Sequence, residues 1–411
     1  MTTTHAGTPV KLTPNLELEG VRGIACVLVL LSHTLYLTHL DPTTTLPAWL
    51  RTLEAGHIGV LVFFLLSGYL IGWTNSSSYT PERRRAYVTR RLLRLGPIYY
   101  VALILTVAVI WLRSDHGQLR TIGAAALGLQ NFNDYFGLHV SVPMSNGPLW
   151  SLNYELLYYA LFLVVWRFRL SLGWVFLPTL AMTLLVWFFP AWMPLFLGSY
   201  ACGWLFWAAG WWLSHQPELP PGTPRPVLSW LLLVYASHHL EGMMRFLNVL
   251  HLHNPDAGMV TLGQVGALSP ILLLLAAASG RRLPGERIFS ALAWLFCLVP
   301  LAGMIATGRL WADPSWMASG VAVLLAGATW SFKHTAWLKS FAWLGSISYA
   351  IYVVHFPLLF VVARLPLPRG TLPAYTARIA IWAALTLVLA WFLEKKFQPW
   401  AKSFFPQPKA T

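Results

Sequence analysis

The chain has 411 residues, of which 57% are apolar and 10% are charged. Charged residues make up about a quarter of a typical soluble domain, so this composition excludes an ordinary soluble enzyme. Uncharged apolar stretches recur from one end of the chain to the other, each near the length that crosses a bilayer. We therefore expect an all-α fold: a polytopic integral-membrane helical bundle of about 10 to 12 transmembrane helices, forming one domain over residues 1–411.

About twelve candidate spans follow one another along the chain. The stretch at 227–241 is short, and only a proline-containing segment divides two of the others, so about ten or eleven crossings also fit. In chain order the candidates lie at 18–38, 57–74, 97–113, 148–166, 172–189, 192–213, 227–241, 263–279, 289–307, 316–332, 341–362 and 375–394.

The formal net charge of +14 suits a nucleic-acid-binding protein, but its distribution indicates a membrane topology instead. Most of the 28 Lys and Arg residues fall on alternate loops, counted from the N-terminus. Such residues favour the cytoplasmic side of a membrane. The pattern predicts a multi-pass membrane protein with both termini in the cytoplasm, in contact with lipid and not with nucleic acid. We expect its location to be the bacterial inner membrane. The densest basic block consists of Arg83, Arg84, Arg85, Arg90, Arg91 and Arg94.

The first span carries two ionisable side chains, Arg22 and His33. Ionisable residues are costly inside a membrane and are therefore candidates for function. A separation of eleven residues is about three helical turns, so the two side chains share one face with a rise of about 16 Å. Imidazole is suited to take a proton from a hydroxyl group near neutral pH. A histidine that packs between helices and bonds a backbone carbonyl fits the same spacing.

The second span contains the run 63–69, Phe-Phe-Leu-Leu-Ser-Gly-Tyr, whose small residues favour close helix packing. Before the third span, Arg91 and Arg94 are three residues apart and therefore neighbours on a helix. Paired guanidinium groups at the membrane face suit a polyphosphate such as the 3′-phospho-ADP part of coenzyme A. An anchor beside anionic lipid is the alternative for this pair.

The segment 114–147, before the fourth span, gathers polar side chains. They fit the mouth of a site and an ordinary solvated loop about equally. These residues are Gln130, Asn131, Asn133, Asp134, His139, Ser145 and Asn146.

The fourth span opens with Ser151, Glu155, Tyr158 and Tyr159 on one stripe at helical spacing. A buried carboxylate orients and stabilises a histidine base in hydrolase triads. We therefore predict that Glu155 is catalytic together with His33, and that Ser151 binds substrate. A structural acid paired with an arginine or a tyrosine is the alternative.

The eleventh span carries Ser348, Tyr352 and His355 as a polar stripe within an apolar helix. Tyr352 and His355 are predicted to hold substrate in a cavity wall. A hydrogen bond between helices fits this segment equally well. Cys26, Cys202 and Cys297 all fall inside spans and are interpreted as buried apolar residues, so no metal site is expected.

Taken together and in this order, these segments resemble the acyltransferase 3 family of membrane acyltransferases. The shared motifs are Arg-x10-His, Phe-Phe-x-x-Ser-Gly-Tyr, Arg-x-x-Arg-x-x-Pro, Trp-Ser-Leu-x-x-Glu and Ser-Tyr-x-x-Tyr-x-x-His-x-Pro. Each motif is modest alone, but their joint occurrence is specific. The likeness runs from about Leu18 to Lys396, nearly the whole chain.

The resemblance implies transfer of an acyl group, often acetyl, from a cytoplasmic coenzyme A thioester to a hydroxyl group. Acceptors in the family include O-antigen, exopolysaccharide, peptidoglycan, nodulation oligosaccharides and macrolides, so we expect a carbohydrate-type acceptor. It also implies that His33 is essential and that Arg22, Arg91, Arg94 and Glu155 contribute.

The resulting hypothesis is that Arg91, Arg94 and Arg22 hold the phosphates of acyl-CoA, with acetyl-CoA the expected co-substrate. His33, oriented by Glu155, then deprotonates the acceptor hydroxyl, or else carries the acyl group itself as a relay. A transporter or flippase of a lipid-linked saccharide, with the same residues as a proton or substrate path, is the rival function. A non-catalytic scaffold would leave the polar stripes on several spans without a purpose.

Overall fold

The structure is a computed structural model that describes residues 15–130, 132–135, 138–140, 142–189, 195–250 and 259–405. Within these residues the chain is a bundle of α-helices, and the only strands form a small antiparallel hairpin of β1 (Phe132–Tyr135) and β2 (Leu138–Val140). The helices are α1 (Leu16–Thr34), α2 (Leu37–Leu40), α3 (Gly56–Thr74), α4 (Pro81–Leu112), α5 (Leu119–Ala126), α6 (Trp150–Phe168), α7 (Leu172–Phe188), α8 (Leu195–Ser214), α9 (Val227–Leu240), α10 (Gly242–Val249), α11 (Leu268–Ser279), α12 (Glu286–Ala306), α13 (Pro314–Ala328), α14 (Ala342–Gly345), α15 (Ser348–Ala363), α16 (Leu372–Phe392) and α17 (Gln398–Ser403).

Each predicted span coincides with a helix, so the all-α membrane bundle is confirmed. Among the described residues, seven helices are long and apolar enough to cross a membrane, or eight if the bent pair Ala336–Gly345 and Ser348–Ala363 counts as one span. The shorter apolar helices α7, α9 and α13 account for most of the difference from the predicted number.

Helix α4 is longer than the predicted third span at 97–113. Its 32 residues extend about 48 Å, against about 30 Å of hydrocarbon in a bilayer. The helix starts where the Thr80 side chain accepts a hydrogen bond from the backbone N–H of Arg83 at 3.2 Å, and it continues past Pro97. The basic block at 83–94 therefore lies on the extension that leads into the membrane. We call this end of the bundle the basic end.

Small residues let the helices of the core approach closely. A Cβ atom on Gly68 of α3 would lie 1.9 Å from the carbonyl oxygen of Trp207 on α8, and one on Gly210 of α8 would lie 1.9 Å from that of Leu65. The two glycines thus form a reciprocal contact that admits no larger side chain. This contact agrees with the packing interpretation of the run 63–69. Helix α1 packs in turn against α3, α14 and α15, which brings the polar stripes of α1 and α15 together.

Candidate active site

A cavity of about 130 Å³, lined by apolar side chains and several charged and polar ones, lies between α1, α3, α4, α6 and α15. We call it the arginine cavity. Six of the eight predicted site residues line it: Arg22, Arg91, Arg94, Ser151, Glu155 and Tyr352. The other two, His33 and His355, are not among its lining residues. Helical spacing thus identified the inward faces of four separate helices, and their packing joins those faces in one space.

Two of the three arginines in the cavity are already paired with carboxylates. Arg22 lies 2.9 Å from Glu19, one turn earlier on α1. The Nη1 atom of Arg94 lies 2.9 and 2.7 Å from the two carboxylate oxygens of Glu394, which is only 6% exposed. Both guanidinium groups are therefore largely neutralised by their neighbours.

Arg91 differs from the other two arginines because no carboxylate among the described residues forms an ion pair with it. Its Nε atom is buried and has no hydrogen-bond partner. The guanidinium group lies 5.9 Å from the ring of Tyr87 and 5.8 Å from the ring of Tyr159, within the range of cation–π contacts. Those rings orient the group and leave its charge available, so Arg91 is the arginine best placed to bind an anion.

Glu155 does not contact His33, contrary to the prediction. Its carboxylate accepts hydrogen bonds from the hydroxyl of Ser67 at 3.0 Å and from the hydroxyl of Tyr159. The reason is position along the helices: Glu155 lines the arginine cavity together with Arg91, whereas His33 lies further along α1 from the basic end and does not line it. The tyrosine partner that we considered as an alternative for this acid is present.

Ser151 and Tyr352 close the inner end of the arginine cavity. Their hydroxyl oxygens are 2.6 Å apart, and the hydroxyl of Tyr352 also donates to the carbonyl of Pro148 at 2.8 Å. Tyr352 is three residues before His355 on α15. Tyr352 therefore lines the arginine cavity and also lies beside the histidine pair, with its ring centroid 6.0 Å from that of His355.

The two histidines form a pair behind Tyr352. The Nε2 atom of His355 lies 3.1 Å from the Nδ1 atom of His33, and the ring centroids are 4.9 Å apart. His33 keeps part of its surface exposed, whereas His355 is 0% exposed. His355 was predicted to bind substrate, but its complete burial behind His33 leaves it no surface for that contact. His33 contacts His355 in place of the predicted Glu155.

A proline and a buried amide shape α15 around this pair. Pro357 has no backbone N–H, so the carbonyl of Val353 loses its helical partner. The side-chain amide of Asn146 donates to that carbonyl at 3.0 Å and to the hydroxyl of Thr106 at 3.0 Å. Asn146 is fully buried, as are Gln130 and Ser145. These three residues of the polar segment 114–147 are thus part of the bundle, not of a solvated loop.

The other polar residues of that segment, Asn131, Asn133, Asp134 and His139, have side chains outside the described residues. Glu394 is the residue that sequence reasoning missed. It is an acid at the end of an apolar span, and that placement alone marks it as a candidate. Its partner Arg94 lies 300 residues earlier in the chain, so the pairing itself carried no signal in the sequence.

Comparison with known proteins supports the sequence motifs. The chain matches the acyltransferase 3 family, described as an acyltransferase domain, over residues 15–395. A curated protein of Komagataeibacter xylinus named "Putative membrane-bound transacylase BcsY" is 33% identical over 159 residues, which cover 36% of this chain and 36% of that protein. No solved structure matches this chain. Because the family match spans nearly all of the polytopic bundle and every motif helix of the site, the chain belongs to the acyltransferase 3 family.

Proposed function

We propose that the protein is a membrane-bound O-acyltransferase that moves an acyl group, acetyl in the first instance, from acyl-CoA to a hydroxyl group of a carbohydrate-type acceptor. Family membership and the transacylase name of the relative support acyl transfer. One arrangement carries the proposal: a cavity lined by three arginines ends at Tyr352, and a histidine pair lies directly behind that residue.

The donor enters from the basic end. Arg91 binds a phosphate group of acyl-CoA, because it is the cavity arginine without a carboxylate partner among the described residues. Arg22 and Arg94 add donors at the same cavity while they remain paired with Glu19 and Glu394. The rise of about 16 Å from Arg22 to His33 is comparable to the length of an extended pantetheine arm, so delivery of the thioester to His33 requires only that the Tyr352 side chain move aside.

His33 is the base of the reaction. It takes the proton of the acceptor hydroxyl while the oxygen attacks the thioester carbonyl. The new C–O bond forms, the C–S bond breaks, and the proton passes from His33 to the departing thiolate. The products are the acyl ester and coenzyme A, and His33 returns to its neutral form. Ser151 and Tyr352 bind the substrates at the inner end of the arginine cavity, and Glu155 orders that cavity through Ser67 and Tyr159.

An acyl relay through His33 is the second route. Here a ring nitrogen attacks the thioester, a C–N bond forms, the C–S bond breaks and coenzyme A leaves. The acceptor oxygen then attacks the acyl carbon, a C–O bond forms and the C–N bond breaks. The hydroxyl proton is taken up by the freed ring nitrogen and passes to solvent, where it balances the released thiolate. This route lets donor and acceptor bind at different times and from opposite faces. The relay predicts that radioactive acetyl-CoA labels the wild-type protein in the absence of acceptor and does not label His33→Ala. Direct transfer predicts no such labelling.

We place the basic end in the cytoplasm and the protein in the bacterial inner membrane. The basic block on α4 supports this orientation, because arginine-rich segments stay on the cytoplasmic side. A cytoplasmic basic end also matches the location of acyl-CoA.

The donor assignment is tested with Arg91→Met and the matched control Arg85→Met, an exposed arginine on the same helix. Coenzyme A release is measured from purified protein in nanodiscs with acetyl-CoA and cell-envelope glycans. A charge-assisted hydrogen bond contributes about 1.5–3 kcal/mol, so Arg91→Met should raise KM for acetyl-CoA about 10- to 150-fold. Arg85→Met should leave KM unchanged.

The proposal would be overturned in favour of the transporter by two results together. The wild-type protein would release no coenzyme A from acetyl-CoA or longer thioesters, and it would move a lipid-linked saccharide across the membrane.

A further inference from the structure

The protons of the histidine pair are fixed by backbone carbonyls. The Nδ1 atom of His355 lies 2.8 Å from the carbonyl oxygen of Tyr352 and 3.1 Å from that of Ile351. A carbonyl oxygen only accepts hydrogen bonds, so Nδ1 of His355 must carry a proton. His355 is completely buried, where a charged imidazole is costly, and it is therefore neutral. A neutral imidazole protonated at Nδ1 has a lone pair at Nε2.

That lone pair faces His33. The Nδ1 atom of His33 lies 3.1 Å from Nε2 of His355 and 2.9 Å from the carbonyl oxygen of Val29. Both neighbours are acceptors, so Nδ1 of His33 must be the donor, and its proton is shared between them. If both Nδ1 atoms were unprotonated, the lone pair of His33 Nδ1 would face the carbonyl oxygen of Val29. The lone pair of His355 Nδ1 would face the carbonyl oxygens of Ile351 and Tyr352.

We propose that His355 is a positioning residue that holds His33 in the tautomer protonated at Nδ1 and thereby leaves Nε2 of His33 as the basic atom. No group among the described residues donates to or accepts from Nε2 of His33, so this atom is available to a substrate. The catalytic consequence rests on the proposed function, whereas the tautomer itself does not.

His355 then replaces the carboxylate of a hydrolase triad with a neutral acceptor. When Nε2 of His33 takes the proton of the acceptor hydroxyl, the imidazolium still donates from Nδ1 to His355 and to Val29. The charge is thus stabilised without an ionised acid in the membrane. When the proton passes from Nε2 to the thiolate of coenzyme A, the original tautomer returns. No further reactant is needed.

The tautomer is measured directly by nitrogen-15 NMR of the full-length protein in nanodiscs, labelled at the histidine ring nitrogens. The spectrum of His33→Ala identifies the His33 signals by their absence. In wild type we expect a protonated Nδ1 and an unprotonated Nε2 for His33. A protonated Nε2 in the neutral ring would overturn the proposal, and this readout does not depend on any variant of His355.

Two substitutions then test the positioning role. His355→Leu removes one of the two acceptors of the His33 Nδ1 proton and with it a charge-assisted hydrogen bond to the imidazolium. It should therefore lower kcat by about 10²-fold while KM for acetyl-CoA stays unchanged, because His355 touches no substrate. His355→Gln offers a side-chain oxygen to His33 and should recover activity to within about tenfold of wild type. Equal losses in both variants, with wild-type thermal stability in both, would contradict the role.

The outcomes separate the two claims. If His33 has the expected tautomer but His33→Ala remains active, the base assignment fails and the positioning contact stands. If His33→Ala is inactive but His33 is protonated at Nε2, the positioning proposal fails alone.

Discussion

The ion pair between Arg94 and Glu394 gives the sharpest prediction about which cavity arginine is structural. Arg94→Met removes the guanidinium group that is hydrogen-bonded to the carboxylate of Glu394, whose side chain is only 6% exposed. Loss of one member of a buried ion pair costs about 3–5 kcal/mol, since the other charge is left unpaired. The side chain of Arg94 is 32% exposed, so water can reach part of the site, and we expect the lower end, about 3 kcal/mol.

The assay is reversible unfolding of the purified protein in mixed micelles, followed by fluorescence of its 22 tryptophans. Glu394→Gln removes the charge that Arg94→Met exposes, so the double variant should recover about half of the loss of the single variant. Arg85→Met, on the exposed part of α4, should unfold like wild type. In the fraction of Arg94→Met that remains folded, KM for acetyl-CoA should rise by less than it does in Arg91→Met.

Two results would refute this reasoning. One is wild-type stability of Arg94→Met. The other is a rise in KM for acetyl-CoA as large as that in Arg91→Met, which would make Arg94 a phosphate ligand of equal weight.

Two further predictions concern packing and pH. Gly68→Val should prevent stable assembly of α3 against α8, because the first added carbon would overlap a backbone carbonyl. The control Gly303→Ala, which has no atom near the added carbon, should give normal yield on size-exclusion chromatography. A hydrogen bond from Thr43, with a contribution from the charge of Arg378, lowers the pKa of Asp41 outside the first span. A carboxyl group whose pKa is lowered by folding stabilises the fold at pH values above the usual aspartate pKa. This stabilisation is lost as the pH falls through the lowered pKa. Asp41→Asn should therefore melt at a lower temperature than wild type near neutral pH and at the same temperature in acid; an equal gap at every pH would contradict the assignment.

Local spacing in the sequence predicted the helices and their inward faces. Ser151 and Glu155 are four residues apart and do share the cavity, because helical geometry fixes which side chains lie on one face. The same holds for Arg91 and Arg94. The all-α bundle followed from apolar stretches of membrane-spanning length.

The spacing of residues did not show how far along its helix each residue lies relative to residues of the neighbouring helices. Spacing places a residue on a face but does not say which residue of another helix stands opposite. Glu155 therefore was assigned to His33, although packing sets it beside Ser67 and Tyr159. The contact of His33 with His355 depends on how α1 and α15 meet, 322 residues apart in the chain.

The function of a stripe was also ambiguous from sequence. Tyr352 and His355 of α15 were both predicted to hold substrate. In the structure Tyr352 lines the arginine cavity, whereas His355, less than one turn further, is completely buried. Successive residues of a helix are rotated by about 100°, so two side chains three residues apart do not point in the same direction. One can therefore line a cavity while the other is buried between helices.

The central claim is that His33 carries the chemistry of acyl transfer. Its most direct test is a single-turnover experiment with radiolabelled acetyl-CoA and envelope glycans, comparing wild type, His33→Ala and the control His334→Ala, which changes an exposed histidine outside the cavity. We predict label in the glycan fraction for wild type and His334→Ala, and none for His33→Ala at equal folded protein. Transfer by His33→Ala at the wild-type rate would contradict the account.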